Sequence, residues 1–269
     1  MTKPVVFIDI DNTLVPVMET ISAKNLQALK DFIAWGGHPV FVSGKLPVAL
    51  FGLLDQLDLD DSDHIGANGG ILYNKAKNQY QILAKCGLPS QAINERAAQL
   101  RLTCYLFYQD EVVASAKNLD PYEIKYLSTL GDPVPHHSNH IHFEQIIKIL
   151  FFVNQNDTDT ETRVREAMAG LLDSLHFVRT GAALLEIHHD KQTKATGVRA
   201  YCEKHQIDLR DTYAIGDSEN DLSMLELVGH PYMMANSSRI VKEKGYPELL
   251  SCKQDGVASL LYQLIASDQ

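Results

Sequence analysis

The segment Val5-Val6-Phe7-Ile8-Asp9-Ile10-Asp11-Asn12-Thr13-Leu14-Val15 constrains this chain more than any other, because a continuous apolar run passes directly into two aspartates, an asparagine and a threonine. An apolar run without polar alternation reads as a strand buried on both faces, the kind found in parallel sheets covered by helices. In a strand, residues two apart point to the same side, which brings the carboxylates of Asp9 and Asp11 together where the strand ends. Two such carboxylates repel and do not both stay ionised unless positive charge sits between them. Asp, Asn and Thr also form ordinary surface turns and helix caps. The segment alone therefore leaves two readings open, a plain turn or a site for a metal and a phosphate.

The same order of strand, polar turn and helix recurs. Ser22 can cap a helix running through Trp35, with Leu26, Leu29, Phe32 and Ile33 on one face and Gly36-Gly37 ending it. A strand at Pro39 to Val42 leads into Ser43-Gly44-Lys45 and a helical stretch, and a third, His64 to Ala67, ends in Asn68-Gly69-Gly70. Near the carboxyl terminus the pattern predicts a helix over Lys194 to His205, a strand over Thr212 to Ile215, a helix over Glu219 to Val228, a strand over Pro231 to Met234 and a helix over Asp255 to Ala266. This is the pattern of an α/β fold with a doubly wound, Rossmann-like parallel sheet, whose ligands gather at the carboxyl ends of the strands. Every polar turn named above sits at such an end.

The middle of the chain lacks those turns. Helical segments at Ser90 to Leu102 and Thr160 to Leu172 lie among β-rich runs at Thr103 to Tyr108, Lys148 to Val153, His176 to Arg179 and Ala183 to Ile187. Strands and helices in that proportion predict an α+β domain with helices on one face of an antiparallel sheet. The boundaries read from the sequence are 1–80 and 189–269 for the α/β core and 81–188 for the insert.

A second acidic turn, Gly216-Asp217-Ser218-Glu219-Asn220-Asp221, follows the apolar Ala214-Ile215. Asp or Ser before a helix is most often a cap, but two such turns at strand ends of one sheet point to a shared site. Oxygen-only ligands call for a hard cation, and sparse carboxylates suit magnesium, which keeps some waters and is often completed by a substrate phosphate. Zinc calls for histidine or thiolate, and neither is in the cluster. Ser43 and Lys194 are placed to offer a hydrogen bond and a positive charge to phosphoryl oxygens.

Composition narrows the partners. A formal net charge of -10 with no block of lysines or arginines argues against nucleic acid or an anionic membrane surface as the main partner. Cys86, Cys104, Cys202 and Cys252 are scattered without metal-ligand spacing and read as reduced, structural thiols. With no basic segment followed by an apolar stretch at the amino terminus and no apolar run of membrane-spanning length, the expected location is cytoplasmic.

In these motifs the chain resembles the haloacid dehalogenase superfamily, close to its Cof-like sugar-phosphatase branch with a type II (IIB) cap between the second and third motifs. Asp9-Ile10-Asp11-Asn12-Thr13 is similar to the first motif, Val42-Ser43-Gly44 to the second, Lys194 within Lys191-Gln192-Thr193-Lys194-Ala195-Thr196-Gly197 to the third, and Gly216 to Asp221 to the fourth, in family order. The resemblance implies a phosphatase acting on a small phosphate ester, with Asp9 as nucleophile and Asp11 as general acid and base. It implies Mg2+ held by the Asp9 carboxylate, the Asp11 backbone carbonyl and Asp217, with Asp221 close by as a water-bridged ligand or an anchor. It also implies that Ser43, Gly44 and Lys194 bind the phosphoryl group, with Asn220 and Asn68 near the substrate. Two departures stand out: Lys45, whose ammonium lacks the bidentate fork of the arginine many relatives carry there, and Ala195 where they usually carry glycine.

Several readings stay open. Asn68 also fits a hairpin turn leading into Ile71 to Tyr73. Asn236, after Met233-Met234-Ala235, falls where relatives place a polar group near the fourth-motif loop. The stretch His136 to His142 reads as a solvated loop, with a metal site or a substrate contact as its alternatives; His188-His189 reads as lying near a domain hinge, and Tyr105, Phe107 and Tyr108 as sheet core. A phosphomutase on the same core and a non-enzymatic phospho-receiver are the alternative functions, although receivers are typically about half this length. The sequence assigns no oligomeric state.

Overall fold

A computed structural model describes residues 3–153, 158–180 and 183–267. The chain opens with β1 (Val5–Asp9), α1 (Ala23–Ala34), β2 (His38–Val42), α2 (Phe51–Leu57), β3 (Asp63–Gly66), β4 (Ile71–Asn74) and β5 (Gln79–Ile82). It continues with α3 (Pro89–Gln99), β6 (Tyr105–Phe107), β7 (Val112–Ala114), α4 (Pro121–Thr129), β8 (His136–His137), β9 (Lys148–Phe152), α5 (Thr158–Met168), β10 (Leu175–Thr180) and β11 (Leu184–His189). It closes with α6 (Lys194–His205), β12 (Thr212–Gly216), α7 (Leu222–Leu225), β13 (His230–Met234), α8 (Arg239–Lys242), β14 (Glu248–Leu249) and α9 (Gly256–Ser267). Two compact units result, one of Met1–Gly44, Leu50–Leu83 and Thr193–Gln269, the other of Lys45–Ala49 and Ala84–Gln192.

The first unit is built on a sheet of order β14-β13-β12-β1-β2-β3-β4-β5. Strands from β14 to β3 run parallel, with Ile8 of β1 opposite Ile215 on one side and Phe41 on the other. All five residues of β1 are buried, because helices cover both faces. Val5 and Phe7 pack with Val198, Tyr201 and Met224 from α6 and α7. On the other side of the sheet α1 packs against α9. Ser22 caps α1 by accepting from the Asn25 N–H at 3.0 Å, and Asn25 in turn accepts from the Ala258 N–H of α9 at 3.0 Å. Burying a side chain as large as Phe7 contributes about 1.5–3 kcal/mol, so alternation of direction along β1 stabilises both layers at once.

The sheet departs from an all-parallel reading at its far edge, where β4 and β5 run antiparallel to β3 and to each other. β5 ends at Ile82, and the second unit takes up at Ala84 and runs to Gln192, against the expected 81–188. The expected helix from Glu219 to Val228 is shorter, a 3-10 turn at Glu219–Asp221 followed by α7.

The second unit has a six-stranded sheet of order β10-β11-β9-β6-β7-β8, antiparallel except where β7 meets β8. Ile93 and Ala97 of α3 and Val164 and Met168 of α5 pack on one sheet face against Leu106, Val113, Ile149, Phe151, Leu185 and Ile187. The α+β composition is as expected, and Tyr105, Phe107 and Tyr108 are buried in it, but the helices are not all on one face: α4 lies against the opposite one, where Tyr126 meets Phe152 and Glu123 accepts from the Tyr105 hydroxyl. Two further features differ from expectation. α4 carries a single buried apolar residue, Leu127, too few to produce a helical period. His136 and His137 form β8, where the Val113↔His136 and Ala114↔His137 register replaces the expected loop. All four cysteines are free and buried. No helix among the described residues is long and apolar enough to cross a membrane.

Candidate active site

The site lies within the first unit, at the carboxyl ends of β1 and β12. Asp9 is the last residue of β1, Asp217 follows β12, and Asp221 ends the 3-10 turn. All three are buried, and one carboxylate oxygen from each lies within 4.8 Å of the others. Lys194, 1% exposed, opens α6 and donates from Nζ to Asp9 Oδ1 and Asp221 Oδ1, both at 2.5 Å. Thr193 caps that helix, accepting from the Thr196 N–H through Oγ1 at 3.3 Å.

The local sequence explains how Asp221 reaches the strand end. Its Oδ2 accepts from the N–H groups of Asp217 and Ser218, each at 2.9 Å, while Oδ1 accepts from Lys194. Both oxygens are thus engaged within the protein. Gly216 makes this fold-back possible, because a Cβ there would stand 2.5 Å from the Asp221 side chain. Gly69, at φ +87°, does similar work beneath α6: a Cβ on it would stand 1.8 Å from the Thr193 carbonyl oxygen.

Three carboxylates around one ammonium leave surplus negative charge in a buried space. Burial pushes the Asp9 carboxyl well above its usual range, and Asp221 and Asp217 push it further while Lys194 opposes them. Burial and then Asp221 raise Asp217 to about 6, against hydrogen bonding from Thr13 and the Lys194 charge. Burial alone would lower Lys194, but Asp221 and Asp9 overcome it and hold the amine above its ordinary value. The all-oxygen donor set and the unbalanced charge both fit a hard divalent cation.

The remaining expected residues are placed as follows. Asp11 lies in the closed turn after β1, where the Leu14 and Val15 N–H groups donate to the Ile10 carbonyl at 3.0 and 2.9 Å. It is partly exposed, and its carboxylate is not one of the clustered three. Ser43 is buried just past β2, its N–H donating to the Ile65 carbonyl at 3.0 Å and its carbonyl accepting from the Asn68 N–H at 2.9 Å. Gly44 sits against the Asn68 side chain, 3.2 Å from where a Cβ would stand. Asn68, in the left-handed region at φ 52°, does lie in the turn between β3 and β4, and its Oδ1 also accepts from Asn220 Nδ2 at 2.9 Å.

Two positioning contacts were not assigned from the sequence. Thr13 Oγ1 donates to Asp217 Oδ1 at 3.1 Å, joining the first acidic turn to the second across 204 residues. Asn236 Nδ2 donates to the Asn12 carbonyl at 2.9 Å. The histidines read as a possible metal site are not brought together: His136 faces Glu111, and His137 bonds the Ala114 carbonyl and Asn139. His188 is buried in β11 against Glu186.

The sequence profile of the haloacid dehalogenase-like hydrolases matches residues 6–261. A 5-amino-6-(5-phospho-D-ribitylamino)uracil phosphatase of Bacillus subtilis is 27% identical, covering 96% of this chain and 97% of its own. A haloacid dehalogenase-like hydrolase from Bacteroides thetaiotaomicron superposes with a TM-score of 0.85 at 21% identity, over 97% of this chain and 99% of that one. A subclass IIB sugar phosphatase superposes with a TM-score of 0.76, also at 21% identity, over 97% and 98% of the two chains.

Proposed function

The chain belongs to the haloacid dehalogenase-like hydrolases, and we propose that it is a magnesium-dependent phosphatase of a small phosphorylated metabolite, a sugar phosphate or a close relative of one. The observation that carries this reading is the buried cluster of Asp9, Asp217 and Asp221 around Lys194. The relative named as acting on a phosphoribityl compound supports the substrate class.

In the first step an Asp9 carboxylate oxygen forms a bond to phosphorus as the bond from phosphorus to the substrate's alkoxide oxygen breaks. Asp11 gives its proton to that alkoxide, which leaves as an alcohol. In the second step Asp11, now ionised, takes a proton from water; the water oxygen attacks phosphorus, and the aspartyl-phosphate bond breaks to return Asp9 and release inorganic phosphate. Dividing hydrolysis into two displacements is the gain of covalent catalysis. Lys194 and the Ser43 hydroxyl hold the phosphoryl oxygens, where fixed charge counts most during transfer. Asp9, Asp217 and the Asp11 carbonyl would hold Mg2+, and Asp221 serves as the anchor that keeps Lys194 and the Asp217 backbone in place. When bound, the cation offsets the carboxylate surplus and the charge of the phosphoryl group. Substrate selection is assigned to the inserted unit.

The test is phosphate release from a panel of sugar, nucleotide and glycerol phosphates, with and without magnesium, comparing the native protein with Asp9→Asn. Magnesium-dependent turnover that disappears in the variant is the expected result, and turnover surviving in Asp9→Asn contradicts the mechanism. Phosphoryl return to a sugar, seen by phosphorus NMR, would make the protein a mutase. A persistent aspartyl-phosphate without turnover would make it a receiver.

A further inference from the structure

Beyond the ends of β1 and β12 the backbone ladder stops; the last paired residues on this side are Ile8 and Ile215. The spacing of the two acidic turns must then be set by other contacts. Asn236, in the loop after β13, makes one of them and is itself held by a second bond. Its Nδ2 donates to the Asn12 carbonyl at 2.9 Å, and its Oδ1 accepts from the Cys252 N–H at 2.7 Å. The same loop holds the second acidic turn, since the Ser238 N–H donates to the Asp217 carbonyl at 2.9 Å. A single short loop therefore grips both the turn that carries Asp11 and the backbone of Asp217.

The residue type matters. Asn12 offers a carbonyl and Cys252 an N–H, and a carboxamide supplies one donor and one acceptor in a single orientation. Flipping that amide would set acceptor against acceptor and donor against donor. Asn12 itself stands at φ 62°, a conformation that needs outside support to persist.

We propose that Asn236 is a positioning residue that fixes the distance between the Asp9–Asp11 turn and Asp217, and thereby the affinity of the site for a divalent cation. The inference rests on the reading of this cluster as the phosphatase metal site. Magnesium demands near-ideal octahedral geometry at short oxygen distances, so a small drift of one turn against the other weakens binding even with every ligand intact. Residues that orient ligands from outside the coordination sphere typically matter by about 10- to 100-fold in affinity or activity.

The experiment is calorimetric titration of Mg2+ into the substrate-free full-length protein, paired with steady-state kinetics on the best ester found. The variants are Asn236→Leu, of similar shape without polar atoms, and Asn236→Gln, which keeps the carboxamide on a longer stem. We expect Asn236→Leu to bind Mg2+ about 10-fold more weakly, with kcat reduced at saturating ester, ester KM nearly unchanged and metal-free thermal stability close to native. Asn236→Gln should recover part of the affinity. Should the leucine variant fail to fold, Asn236→Ser repeats the measurement with a small polar residue at this exposed position. Native Mg2+ affinity in any folded variant that lacks the carboxamide overturns the proposal, and so does a fall in metal-free stability with affinity and kcat retained. Failure of the underlying reading is a different result, in which the native protein itself binds no Mg2+.

Discussion

Among the described residues a lysine is buried against carboxylate twice, with different charge balance. In the first unit Lys194 meets Asp9 and Asp221 with Asp217 beside them. In the second, Lys148, 3% exposed, donates to Glu186 Oε1 at 3.2 Å, and Glu186 Oε2 accepts from His188 Nε2 at 2.5 Å. Around Lys194 the negative charge exceeds the positive, and two carboxyls are pushed upward. At Glu186, burial would raise the carboxyl, but Lys148 and His188 hold it down to about 2. In the second network Lys148 and Glu186 match charge for charge, with His188 Nδ1 left without a hydrogen-bond partner; in the first the carboxylates outnumber the lysine, a surplus that the proposed cation would offset. Buried charge is therefore a poor marker of a site, and uncompensated buried charge a good one.

Substituting each lysine tests that contrast most sharply. Lys194→Met should lower kcat by about 100- to 1000-fold, since it deletes the fixed charge proposed to hold the transferring group. It should also cost about 3–5 kcal/mol of stability by leaving buried carboxylates unpaired, and added Mg2+ should restore much of that loss in a thermal melt. Lys148→Met should be destabilised by a similar mechanism but show no such response to Mg2+. Equal recovery of the two variants would break the comparison.

A smaller effect is expected at Gly216. A Cβ there meets the Asp221 carboxylate at 2.5 Å, so Gly216→Ala must displace the anchor of Lys194 and the Asp217 backbone. The expected cost is about 1–3 kcal/mol of stability, as for overpacking elsewhere, together with weaker Mg2+ activation. Native metal dependence in this variant would mean that Asp221 does not hold the site in register.

A further effect concerns pH and the second unit, and at neutral pH it is silent. Glu186 has its folded pKa depressed from 4.5 to about 2. The resulting stabilisation is fully present above the unfolded value and is lost as pH falls from about 4.5 through about 2. It amounts to roughly 3 kcal/mol at most. Glu186→Gln should flatten the dependence of the urea midpoint on pH across that window, and an unchanged curve would show that acid sensitivity arises elsewhere.

Much of the core and its site could be read locally, because each polar turn directly follows its own strand. Ser22, Lys194 and the Asp217–Asp221 turn carry their signals within a few residues. What escaped depends on partners far away in the chain. The sequence puts Asn236 near the second acidic turn, but its contacts exist only once the fold brings Asn12 and Cys252 to it, and Thr13 looks like a turn residue until Asp217 arrives. β5, Gln79–Ile82, is a largely exposed edge strand without the apolar run that marks β1. The Lys148–Glu186–His188 network was invisible for a related reason: strand register decides which side chains meet, and β9 pairs with β11 across a long connection.

The central claim is that Asp9 carries the phosphoryl group. The most direct measurement is to mix the native protein with its best ester and Mg2+, quench in acid during turnover, and locate phosphate on the peptides by mass spectrometry. The account predicts a phosphoryl group on the peptide that contains Asp9, absent when Mg2+ is withheld. Continued turnover with Asp9 unmodified, or a phosphoryl group on another residue, would contradict it.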